Sequence, residues 1–158
     1  MTLDLDGDVA NQYTCDAGIA TPSGHNINVL GSGGLSTTGS GDTITIDGGV
    51  AWTEVVVVGP TQMVVNNGYI ANNSSRVELT LPLTATVGDR VRVVGKGSGG
   101  WQINQNAGQI IQTGDSTTTT GTSGTLQSSE DLAAVELLCT TTDTTWTILS
   151  SVGNLIFN

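Results

Sequence analysis

The chain has 158 residues, enough for one ordinary domain or a compact domain with a smaller extension, and sets 14 Asp and Glu against 4 Lys and Arg for a formal charge of −10. That balance removes the cationic surface on which nucleic-acid binding depends, and no stretch reaches the run of about 18 apolar residues that a membrane-spanning helix needs. Abundant Val and Thr, 22 Gly and few strong helix formers predict an all-β fold with a narrow core.

The N-terminal "MTLDLDGDVA" lacks the basic head and apolar middle of a secretory leader. The expectation is a chain that is soluble as written, at a virion, extracellular or cell surface. Asp4, Asp6 and Asp8 alternate like the first half of a calcium loop, but Val9 stands where the sharp-turn glycine belongs and Cys15 where the bidentate Glu belongs. They are a weak metal candidate and otherwise an acidic exposed arm; no cofactor is expected. His25, the only histidine, lies in a Gly-Ser-Asn setting and reads as solvated, not as a catalytic base. Cys15 and Cys139 are too few for a disulfide framework. One bridge between them stays open, although Cys139 in "VELLC" has the pattern of a small buried hydrophobe.

Small residues fill "GLSTTGSGD", and "TITI" then puts Ile44 and Ile46 on one face and Thr43 and Thr45 on the other, as in a half-buried strand. A composition shift near Gly48–Gly49 divides the chain into an attachment or shaft-like segment, 1–49, and a β-rich domain, 50–158. In "VVNNGYIA", Asn67–Gly68 predicts a two-residue hairpin turn flanked by strands. "RVELTL" points Val77, Leu79 and Leu81 inward until Pro82 ends the ladder, and "DRVRVVG" does the same with Val91 and Val93. Residues 97–100 read as a flexible break. "WQIN" turns Trp101 and Ile103 inward, and "GQIIQTG" is another short strand. The Thr-rich tract from Thr113 to Thr125 reads as an exposed tip or an inter-subunit strand. "SSEDLAAVELLC" is readable as helix or strand, with strand preferred because Val135, Leu137 and Cys139 would share a face. That strand would pair with "TWTILSS", where Trp146 and Ile148 align. Short strands at this spacing predict an antiparallel sandwich or a prism-like domain.

Catalysis requires proton-moving or nucleophilic groups within reach of one another, and no motif supplies them, so a non-enzymatic protein is expected. The acceptor sequons at Asn72 and Asn73 in "NNSS" read as chance. All four basic residues, Arg76, Arg90, Arg92 and Lys96, fall in one short stretch. If their strands pair they form a basic stripe for an acidic sugar or a neighbouring subunit; the plainer reading is a solvated face balanced by Glu78 and Asp89.

"INVLGSGGLSTTGSGDTITIDGG" resembles the Gly/Ser/Thr-rich element of bacteriophage tail-fibre and related surface-fibre proteins. "NNGYIANNSSRVELTLPLTATVGDRVRVVGKGSGGWQINQNAGQIIQTG", continuing to "TTWTILSSVGN", is similar to a β-rich module near the ends of such fibres. The resemblance covers most of the chain beyond residue 25 and transfers no catalytic or binding residue. It implies a homotrimer with an intertwined N-terminal extension. Its partners would be other copies of the chain, further fibre or virion proteins and host surface glycan. Two other classes stay open: a self-polymerising filament subunit completed by β-strand addition, and a monomeric carbohydrate-binding module.

Overall fold

The computed structural model describes residues 50–158 throughout and, before them, residues 13–14, 19–20, 29, 36–40 and 43–47. The chain forms two compact units, Met1–Asp47 and Gly48–Asn158. Asp4, Asp6, Asp8, Cys15 and His25 lie outside the described residues.

In the first unit β1 (Tyr13–Thr14) pairs antiparallel with β2 (Ile19–Ala20), and β3 (Ser36–Ser40) with β4 (Thr43–Asp47). The Thr37 hydroxyl donates to the Val29 carbonyl at 2.8 Å. The "TITI" stretch is a strand, as its alternation predicts. Ile46, however, is 61% exposed, so the expected half-burial is not met at this residue within the chain.

The second unit runs β5 (Ala51–Val55), β6 (Thr61–Gln62), β7 (Asn67–Ala71), β8 (Val77–Thr80), β9 (Arg90–Gly95), β10 (Trp101–Asn104), β11 (Ile110–Thr113), β12 (Ser116–Thr117), β13 (Thr125–Ser128), β14 (Ala134–Thr141), β15 (Thr145–Val152) and β16 (Leu155–Phe157). No described residue is helical. A five-stranded sheet has the order β16-β13-β10-β8-β6, and a seven-stranded sheet the order β12-β11-β15-β14-β9-β7-β5. Both contribute to one core that includes Leu79, Trp101, Ile103, Val91, Leu137 and Trp146. The inward alternations read for β8, β9, β10 and β14 are all realised.

The sheets are mixed, where an antiparallel sandwich was expected. From β5 to β10 successive strands alternate between the two sheets, so each pair makes one coil, and the next coil returns to the same sheet in the same direction. Thus β5, β7 and β9 are mutually parallel neighbours, as are β6, β8 and β10. Antiparallel pairing appears later, in β10 with β13, β13 with β16, and β14 with both β9 and β15.

This coiling overturns the hairpin expected at Asn67–Gly68. Both residues belong to β7, and the turn falls earlier, with Asn66 at φ 63°. Residues 97–100 are likewise no flexible break. A Cβ at Gly97 would stand 2.3 Å from the Asn73 backbone, and one at Gly99 2.1 Å from the Ser75 carbonyl carbon. Glycine is needed there because successive coils touch at their corners.

The Thr-rich tract is exposed along much of its length, includes the edge strand β12, and is anchored at Thr118. The buried Thr118 hydroxyl donates to the Gln105 side chain and accepts from Ile111 N at 2.9 Å; Gln105 Nε2 in turn donates to the Thr119 carbonyl at 3.1 Å. Thr119 N also donates to the Asn158 carbonyl at 2.8 Å. Such a satisfied buried network orders a segment whose small residues could not be held by apolar packing.

Candidate functional site

The four basic residues do not form one stripe. β8 and β9 lie in different sheets, so Arg76, just before β8, is separated from Arg90 and Arg92 on β9. Arg76 donates to Gln127 Oε1 at 3.0 Å on the five-stranded sheet. Arg92 donates through Nε and Nη2 to Glu136 Oε1 at 3.0 and 2.8 Å, and Arg90 Nη1 approaches the same oxygen at 3.5 Å. Lys96 pairs with Glu54 at 2.6 Å. The acidic partners are therefore Glu136 and Glu54 and not the expected Glu78 and Asp89, because side chains across the sheet meet through strand order and not through sequence proximity.

Register across the seven-stranded sheet builds a different constellation. Trp52 is opposite Gly68, Gly68 opposite Arg92, Arg92 opposite Glu136, and Glu136 opposite Ser150. All five belong to the face away from the core, since the alternate residues Val91, Val93, Val135 and Leu137 are buried. A second row alongside runs Glu54, Ile70, Val94, Ala134 and Val152.

Trp52 is 49% exposed, whereas Trp101 and Trp146 are fully buried. A Cβ built at Gly68 would lie 2.5 Å from Trp52 Cδ2 and Cε3. Cδ2 is a ring-fusion carbon with no free edge, so this approach is over the ring face: the indole lies flat on the β7 backbone, and only glycine leaves space for it. Beside the ring a cavity of about 190 Å³ is lined by Trp52, Arg92, Val94, Ala134, Glu136 and Val152, among others. Pockets that enclose a drug-sized ligand occupy roughly 300–1,000 Å³, so this one can seat a single small ring.

On this face two guanidiniums share one carboxylate oxygen. The protein hydrogen bonds to Glu136 converge on Oε1, and none among the described residues falls on Oε2. At the rim, the hydrogen bond from Lys96, supported by one from Asn72, holds the Glu54 carboxyl below its ordinary range.

Away from this face, burial pushes Asp89 upward but is outweighed by hydrogen bonds from Thr86 N and Oγ1 and from Asn66 Nδ2, which leave its pKa lowered. Asp89 thereby pins the turn before β7 to the turn before β9. Cys139 is a free, buried thiol whose pKa is raised by burial and by the nearby Asp89 and Asp143 carboxylates. Among the described residues no group of three His, Cys, Asp or Glu side chains comes together that could hold a metal ion.

Sequence reasoning missed Trp52. The one local signal was its alternation with Glu54, while Gly68, its floor, carried the signature of a turn glycine. No protein-family model matches the chain, and no curated protein matches it.

Proposed function

We propose that the chain is a non-enzymatic structural and attachment module of a phage tail fibre or similar surface fibre, working as a homotrimer. The observation that supports assembly most directly is the end of the coiled strands at β5 and β6, which no further described strand continues. β5 and β6 are edge strands of the two sheets, and the residues joining them include Val56, Val57 and Val58, exposed by 56%, 56% and 47%. No other described strand pairs with the outer edge of β5 or β6, and a strand edge next to apolar side chains invites another strand. Ile46 of β4 is also exposed. The trimeric state itself follows from the resemblance to fibre modules.

Light scattering on the full chain, alongside electron micrographs, tests this reading. A trimer mass that persists on dilution is expected. A stable monomer refutes the trimer, and open-ended filaments transfer the case to strand addition between successive copies.

A further inference from the structure

We propose that the outer face of the seven-stranded sheet at Trp52, Arg92 and Glu136 is a saccharide-binding site, in which one sugar ring stacks on the indole while its hydroxyls bridge the Arg92–Glu136 pair. The inference deepens the attachment reading and rests on it for the source of the glycan, but its chemistry stands on this face alone.

Four features converge. First, the indole is held flat with one face on the Gly68 backbone and half its surface exposed, which presents a planar, electron-rich platform. The axial C–H groups of a pyranose carry partial positive charge and match the negative face of the ring. Second, the next side chain in the same cross-strand row, beyond Gly68, is an arginine locked by two hydrogen bonds to a carboxylate. Such a pair offers a donor and an acceptor side by side, as adjacent sugar hydroxyls require, and Glu136 Oε2, to which no described residue donates, is the acceptor. Third, Ser150 ends the row with a further hydroxyl. Fourth, the cavity of about 190 Å³ accommodates one ring, leaving the rest of an oligosaccharide to lie across the sheet. A nucleic acid is opposed by the net charge of −10.

The test uses the full-length chain on an array of neutral and acidic oligosaccharides, followed by titration of any retained glycan. Acrylamide quenching of tryptophan emission supplies a second readout, because Trp52 is the one exposed indole of three. Retention of a glycan that shields Trp52 from quenching is the expected result. Trp52→Ala should weaken that binding about tenfold or more with unchanged circular dichroism. Gly68→Ala should do the same while keeping the indole, since its new methyl must lift the ring from its floor. Absence of any retained saccharide overturns the proposal, as does normal binding by either variant. It also fails if Trp52 becomes shielded with rising protein concentration and no glycan, which would make the face a contact between copies. A monomer that binds glycan through Trp52 would sink the trimer and leave this inference standing; a trimer indifferent to glycans would do the reverse.

Discussion

Trp101 and Trp146 occupy equally buried positions, yet among the described residues only one of the two indole N–H groups has a partner. Trp101 Nε1 donates to the Ala133 carbonyl at 2.8 Å, and that oxygen also receives Gly95 N at 2.9 Å. Trp146 Nε1 finds no acceptor among the described residues. Replacement by Phe makes the same reduction in ring size and removes the same N–H at both sites, so the packing loss cancels to first order in the comparison. At Trp101 one hydrogen bond disappears, worth about 1 kcal/mol net, and the Ala133 carbonyl keeps its other donor. At Trp146 the change removes a buried unpaired donor and relieves about 1–3 kcal/mol. Trp101→Phe should therefore be less stable than Trp146→Phe by roughly 2–4 kcal/mol, whereas Ala at either site should cost about 3–5 kcal/mol. Urea unfolding followed by circular dichroism reads this as a shift of midpoint at unchanged slope. Coincident midpoints, or a less stable Trp146→Phe, would refute the reasoning.

Two further predictions concern titrating groups. Because the Asp89 pKa is lowered in the folded chain, its contribution is present above the ordinary value of 3.8 and disappears as pH falls through the lower folded value. Asp89→Asn should cost about 1–2 kcal/mol at neutral pH, and the gap between its urea midpoint and that of the wild type should close on acidification; a gap independent of pH would count against the role given to the carboxylate. For Cys139 the sign is opposite: the folded pKa is raised, so stability is full below the ordinary thiol value of 9.0 and declines as pH rises through the raised folded value. Its thiol should react with a maleimide only when the chain unfolds, and rapid labelling of the native protein at this position would contradict the burial.

Side-chain alternation was legible from the residues alone. Val77 with Leu79, Val91 with Val93, Trp101 with Ile103, and Val135 with Leu137 and Cys139 all turn inward as their spacing requires, because the two-residue period belongs to the extended backbone of each strand. The all-β character followed from the same local preferences for β-branched residues and glycine-bounded turns. What the tertiary structure decided was which strands became neighbours. Asn67–Gly68 has the local chemistry of a hairpin, but long-range parallel pairing with β5 and β9 draws both residues into a strand and places Gly68 beneath Trp52. The basic residues are close in sequence, yet alternation of successive strands between sheets parts Arg76 from Arg90 and delivers Arg92 to Glu136, 44 residues away. The face around Trp52 draws on β5, β7, β9, β14 and β15, and no local pattern announces such an assembly. Strand propensity acts over neighbouring residues, whereas register and sheet order come from pairing and burial between distant segments, so the core positions could be read from the chain and the surface constellation could not.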